Sequence, residues 1–246
     1  MRIGTVLRPD VFRLRPKGQP ASAVFPLGLG RQGVHEVCET RFGDMAALSG
    51  FSLAAAGGRA GAVVLVSQDT LGLDHGRLLQ SGLGALQHKP PDVLHIQTCR
   101  LTDALWAVEE ALRSGAVGLV MAELERVDFT ASRRLALASS RQGVPAILLL
   151  PYTCQGSTAA SARWRVSPRP SAPNRFDPRA PGHPRWRAVL ERSRIAPHLA
   201  GHAFDLELND ETLSLCVVSG LAADTSASGT RSPHTDGEAD DRRARA

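Results

Sequence analysis

Between residues 34 and 150, short β-branched or leucine-rich runs alternate with segments in which apolar residues recur every three or four positions. The first pattern is typical of strands that are buried on both faces, and the second is typical of amphipathic helices. Strands that alternate with single helices favour a parallel sheet with right-handed crossovers, so the sequence predicts an α/β core. The predicted strands are residues 34–37, 62–66, 93–97, 118–124 and 146–150, and the predicted helices are 45–56, 102–114 and 130–141. Thr102 with Asp103, and Thr130, are the expected helix N-caps.

After Pro151 the spacing of apolar residues changes to two, which is typical of strands with one buried face. The predicted strands are residues 163–166, 186–190, 204–208 and 213–218, and the polar segment 209–211 predicts a hairpin between the last two. The ends differ in composition: residues 1–33 are rich in proline and glycine, and the chain beyond residue 222 has almost no large apolar residue. We therefore expect an N-terminal arm (1–33), an α/β core (34–152), an arginine-rich antiparallel extension (153–219) and a disordered tail (220–246).

The chain carries 29 Lys and Arg against 24 Asp and Glu, a net charge of +5, which is compatible with an acidic partner. No apolar run is long enough to span a bilayer and the N-terminal residues do not resemble a secretory signal, so we expect a cytoplasmic protein without membrane association. Four cysteines lie far apart without CxxC spacing. They indicate mostly buried, reduced thiols and predict no metal site.

Two segments are candidates for phosphate binding. The spacing GxGxxG at residues 28–33 precedes a strand, whereas a dinucleotide-binding loop must follow one, so these glycines indicate a turn. The turn after the first strand corresponds to a phosphate loop, but it lacks the lysine and the hydroxyl that such loops need. In this turn Cys38 takes the first glycine position, Gly43 is retained, Asp44 replaces the lysine and Met45 replaces the hydroxyl residue.

Glu123 ends an apolar strand, at the position where phosphate-loop proteins hold a magnesium-binding aspartate. Without a working phosphate loop, this carboxylate has no metal-bound substrate to serve. We therefore expect no catalytic residues, no cofactor and no ATP hydrolysis.

The segment from Gln155 to His202 is unusual because its many arginines are interleaved with Trp164, Phe176 and Trp186. Arginine and aromatic rings together are typical of single-stranded nucleic acid binding, where they contact phosphates and stack on bases. In the alternative interpretation, the tryptophans pack inward and the arginines are solvated or meet an acidic protein. The candidate binding residues are Arg163, Trp164, Arg165, Arg185, Trp186, Arg187, Arg192 and Arg194.

Several segments resemble known families. The segments LGLGRQGVHEV (residues 27–37) and RSGAVGLV (113–120) resemble the core of RecA. The segments VHEV (34–37), DALWAVEEAL (103–112), SRRLALA (132–138) and RWRV (163–166) are similar to the ImuA family. The likeness runs roughly from residue 25 to residue 218.

The resemblance to the ImuA family implies a RecA-like, phosphate-loop-type core and a non-catalytic accessory role in damage-induced (SOS) translesion DNA synthesis and mutagenesis. The implied partners are an inert Y-family-like polymerase of the ImuB type, RecA, and an error-prone replicative-type DNA polymerase. Two other functions stay open: a nucleotide-dependent RecA-like ATPase and a direct single-stranded DNA-binding protein.

Overall fold

The computed structural model describes residues 29–31, 33–57, 61–79, 82, 86, 92–174, 176, 177, 179–209 and 213–218. Most of the predicted arm and the whole predicted tail lie outside these residues. The described part begins in a turn at residues 29–31, and Gly30 and Gly33 have left-handed φ angles of +67° and +71°. These positions confirm that the glycines before the first strand form a turn.

Strands and helices alternate through the first half of the described chain, and strands follow in the second half. The strands are β1 (Val34–Glu39), β2 (Val63–Gln68), β3 (Val93–Thr98), β4 (Leu119–Glu123), β5 (Ala146–Leu150), β6 (Ala162–Arg169), β7 (Arg185–Ser193), β8 (Ala203–Asn209) and β9 (Ser214–Val217). The helices are α1 (Met45–Ala55), α2 (Asp69–His75), α3 (Leu101–Ser114) and α4 (Phe129–Gln142), with a 3₁₀ turn at Pro197–Leu199.

These strands form a single sheet in the order β3-β2-β4-β5-β1-β6-β7-β8-β9. The strands from β3 to β6 in that order run parallel, and β7, β8 and β9 continue the sheet in antiparallel pairs. The α/β class, the mostly parallel sheet and the C-terminal antiparallel strands are therefore confirmed. Strand β6 joins both parts, because it pairs in parallel with β1 and antiparallel with β7.

Each face of the sheet carries its own apolar core. On one face, Phe51 and Leu48 of α1 pack with Trp164 and Trp186 of the C-terminal strands. On the other face, helices α3 and α4 cover the parallel strands, with Leu112 and Leu135 among the fully buried side chains. This layered arrangement follows from βαβ crossovers, which place helices on both sides of a parallel sheet.

The predicted strands and helices are all present, with ends that differ by a few residues, but several details are wrong. Helix α2 was not predicted, because its short sequence has little apolar periodicity. The N-cap residues are Arg100 for α3 and Asp128 for α4, rather than the predicted threonines. Asp128 takes this role because its Oδ1 accepts a hydrogen bond from the Ala131 N–H at 2.6 Å.

The cysteines are free thiols, but only Cys38 is buried, while Cys99 is exposed and the other two are half-buried. The expectation of mostly buried thiols is therefore wrong. In the described part of the chain, no helix is both long enough and apolar enough to cross a bilayer.

Candidate functional site

The loop from Thr40 to Asp44 joins β1 to α1 at the carboxyl edge of the sheet, where parallel α/β folds bind ligands. Gly43 has a left-handed φ of +96°, as a tight turn before a helix needs. Asp44 is buried, and its carboxylate accepts a hydrogen bond from the Arg41 N–H at 3.3 Å. The Arg41 guanidinium lies 3.5 Å from the same carboxylate. The acid and the arginine of this loop therefore pair with each other.

Two residues of the predicted loop belong to neighbouring elements. Cys38 is a fully buried residue within β1, and burial raises the pKa of its thiol to about 12. Met45 is the first residue of α1 and part of the apolar core. Neither side chain is available to a phosphate, because both are used in packing.

A buried acid and an imidazole lie beside this loop, and sequence reasoning did not single them out. Glu39 Oε1 lies 3.7 Å from His75 Nδ1, and both side chains are buried. The Tyr152 N–H donates to Glu39 Oε2 at 3.4 Å, and the Phe42 ring lies 4.9 Å from the His75 ring. Burial raises the pKa of Glu39, although His75 and the Tyr152 N–H both act to lower it. No sequence motif links His75 with Glu39, because they lie on separate elements.

Glu123 lies at the end of β4, as predicted, and its side chain is buried. The Ser49 hydroxyl donates to Glu123 Oε1 at 3.4 Å. A cavity of about 310 Å³ opens beside the pair, and its wall includes His75 and Leu78. Among the described residues, no group of three or more His, Cys, Asp or Glu side chains is placed to hold a metal ion.

The carboxyl edge therefore presents acidic groups, namely Glu39, Asp44 and Glu123, where a phosphate-binding protein presents a lysine and N–H groups. No lysine lies in the loop from Thr40 to Asp44, and the exposed guanidinium of Arg41 is 3.5 Å from the Asp44 carboxylate.

The two tryptophans of the arginine-rich strands face the core. Trp164 is fully buried and Trp186 is 4% exposed, and both lie in the core on the α1 face. Trp186 packs against Phe51 with ring centroids 6.4 Å apart, and Trp164 contacts Phe204 at 6.0 Å. Neither ring can stack on a nucleic acid base while the sheet is intact.

Three of the candidate arginines make contacts within the fold, and two of them lie beside one buried acid. Arg163 Nε donates to Glu36 Oε2 at 2.7 Å, and Arg192 Nη2 lies 3.6 Å from the same oxygen. Arg192 also donates to Thr158 Oγ1 at 2.7 Å, and Arg194 donates to the Thr158 carbonyl at 3.2 Å. Glu36 and Arg163 are buried, so this cluster ties β1, β6 and β7 together rather than facing a partner.

The remaining candidate arginines and Arg169 lie on the side of β6, β7 and β8 that faces away from α1. We call this side the open face, and it comprises Arg165, Arg169, Arg185, Arg187, Glu191, Asp205 and Glu207. Arg165 pairs with Glu191 at 2.6 Å and also donates to the Glu39 carbonyl at 2.7 Å. The other members pair across strands. Arg185 lies 2.6 Å from Glu207, Arg187 lies 3.5 Å from Asp205, and Arg169 lies 3.7 Å from Asp205.

The structure therefore defines a class of protein: an α/β protein with a mostly parallel sheet, an acidic carboxyl edge and an open face of paired charges. No known family model matches the chain. It is similar to Protein ImuA from two strains of Caulobacter vibrioides, with 33% identity over 147 residues that cover 55% of this chain and 57% of each relative. This similarity confirms the resemblance to the ImuA family. The chain matches little more than half of the length of these relatives.

Proposed function

We propose that this protein is a non-catalytic accessory factor of damage-induced (SOS) translesion DNA synthesis and mutagenesis, built on a RecA-like core that has lost its nucleotide chemistry. Its partners would be an ImuB-type Y-family-like polymerase, RecA, or the error-prone replicative-type polymerase that works with them. The similarity to ImuA supports the pathway. It covers only part of the relatives, so the partners rest on the family resemblance.

The acidic carboxyl edge is the observation that carries the non-catalytic part of this proposal. Asp44 lies where a phosphate loop has its lysine, and it is already paired with Arg41. Glu123 lies where a magnesium-binding aspartate is expected, but its carboxylate accepts a hydrogen bond from Ser49. With these groups in internal contacts, the loop offers a nucleotide no lysine, its exposed cation Arg41 lies beside Asp44, and the described residues form no group that could hold a metal ion.

The open face is the surface that we assign to the protein partner. Its side chains are partly exposed and arranged as cross-strand ion pairs, such as Arg187 with Asp205, each 41% exposed. Surface pairs of this kind contribute little to stability, so their arginines can exchange partners at small cost. Arginine is enriched in protein interfaces because its planar guanidinium binds carboxylates in a bidentate manner. An acidic or mixed-charge partner surface fits this face.

Charge reversal on the open face tests the assignment. We expect the double variant Arg185→Glu with Arg187→Glu to weaken binding to the ImuB-type partner or to RecA at least tenfold, without a large change in melting temperature. The matched control is Arg133→Glu with Arg141→Glu, which reverses two exposed arginines on α4. Undiminished binding by the open-face variant would reject this surface. Failure of the unmodified protein to bind either partner would reject the proposed function.

Calorimetric titration with ATP and magnesium separates this proposal from the ATPase alternative. We expect neither heat of binding nor a shift in melting temperature, because the carboxyl groups at the edge repel the triphosphate. Saturable binding, or ATP hydrolysis stimulated by single-stranded DNA, would favour the ATPase and overturn the non-catalytic role.

A further inference from the structure

The connection between β6 and β7, residues 170–184, is much longer than most hairpin loops, and the structure describes all of it except positions 175 and 178. At its base, the Ala172 N–H donates to the His183 carbonyl at 3.0 Å. At its tip, Asn174 Oδ1 accepts hydrogen bonds from the N–H groups of Phe176 and Asp177 at 2.9 and 3.2 Å. Connections of this length are uncommon within a compact fold and are often functional.

An aromatic ring is exposed in this connection. Phe176 is 84% exposed, whereas the two tryptophans of the flanking strands are buried. The Phe176 N–H donates to Asn174 Oδ1, so the backbone of this residue takes part in the hydrogen bonds of the loop while its side chain stays accessible.

Three arginines, Arg169, Arg185 and Arg187, lie close together at the base of the same hairpin. Arg169 and Arg185 are directly opposite in the β6–β7 register, which places like charges side by side. Arg169 and Arg187 share one carboxylate, Asp205, at 3.7 and 3.5 Å. Arg179, near the tip, is exposed. Glu207 neutralises Arg185 at 2.6 Å, so the excess positive charge lies on Arg169 and Arg187, which have one carboxylate between them, and an anionic ligand would balance it.

We propose that the β6–β7 hairpin binds single-stranded nucleic acid, with Phe176 stacking on a base and Arg169 and Arg179 contacting phosphates. An exposed ring beside arginines matches the chemistry by which such strands are bound without sequence preference. An acidic peptide would use the arginines but not the ring. This inference goes beyond the proposed function, because it concerns a nucleic acid ligand and because only Arg169 of its residues also belongs to the open face.

Fluorescence anisotropy with a labelled oligothymidylate, measured over a range of salt concentrations, tests the proposal on the full-length protein. We expect Phe176→Ala to weaken binding about tenfold at every salt concentration, because stacking does not depend on counterions. The double variant Arg169→Ala with Arg179→Ala should instead reduce the slope of log affinity against log salt, because fewer counterions are released. Arg133→Ala, on the exposed side of α4, is the matched control and should bind as the unmodified protein does.

Three results would overturn the proposal: no binding at low salt, unchanged binding by Phe176→Ala, or equal affinity for a polyglutamate peptide of matched charge. The last result would show that the hairpin attracts any polyanion. The Phe176→Ala variant should still bind the protein partner through the open face. If the unmodified protein binds its protein partner but not the oligonucleotide, only the hairpin proposal is rejected. If it binds the oligonucleotide but neither protein partner, only the proposed function is rejected.

Discussion

Replacement of Arg163 by methionine should destabilise the protein by about 3 kcal/mol, because it leaves a buried carboxylate without its main partner. Glu36 is fully buried, and Arg163 is its closest cation, with Nε 2.7 Å from Oε2. Removal of one partner from a buried pair typically costs about 3–5 kcal/mol. We place this case at the lower end, because Arg192 remains 3.6 Å from the same oxygen.

Urea unfolding followed by tryptophan fluorescence measures the effect, since Trp164 and Trp186 are buried in the core. The midpoint should fall while the slope stays unchanged, as expected for a loss of stability without a change in the surface exposed on unfolding. Adding Glu36→Gln to Arg163→Met should recover most of the loss, because no charge is then left unpaired.

The control is Arg133→Met on the exposed side of α4, which should change stability by no more than about 0.5 kcal/mol. The reasoning is refuted if Arg163→Met costs less than about 1 kcal/mol, or if the two substitutions simply add. Additivity would show that Glu36 and Arg163 do not depend on each other.

Other predictions concern the thiols, the buried acid and the hairpin. At pH 8, a thiol reagent followed by mass spectrometry should modify exposed Cys99 long before Cys38, whose pKa is raised to about 12 by burial; equal rates would contradict the burial of Cys38. Burial raises the pKa of Glu39 above its ordinary value of 4.5, so the stability that this group confers is present below pH 4.5 and is lost as pH rises through the folded-state pKa. We therefore compare the free energy of unfolding of Glu39→Gln with that of the unmodified protein in urea at two pH values. The variant should gain stability relative to the unmodified protein between pH 4.5 and pH 7.5. A relative loss over this range would refute the raised pKa of Glu39. Gly182→Ala would place a Cβ only 2.1 Å from the Ala172 carbonyl oxygen, so it should cost about 1–3 kcal/mol in unfolding experiments and also weaken oligonucleotide binding; an unchanged melting temperature would show that the hairpin can relax.

The order of the helices and strands could be predicted because burial imposes a local period. Strand β5 was predicted with its observed ends, since a run of five buried residues between Pro145 and Pro151 permits little else. The acidic character of the carboxyl edge could also be predicted, because the residues that follow strands β1 and β4 meet at that edge in any parallel arrangement. Asp44 and Glu123 were both identified in this way.

What each arginine contacts could not be predicted, because the contacts join residues that are distant in sequence. Arg163 and Glu36 meet only because β6 lies beside β1, and Glu39 meets His75 only because α2 ends next to the loop after β1. The alternation of arginine and tryptophan in β6 was compatible with either face being buried.

The amino-acid sequence by itself determined the α/β class, the positions of the strands and the acidic residue in the loop after β1, since these depend on local periodicity and residue chemistry. Only the tertiary structure decided that Trp164 and Trp186 face the core while Phe176 is exposed, because α1 covers one side of the C-terminal strands. It also separated the buried Arg163 from the partly exposed arginines of the open face.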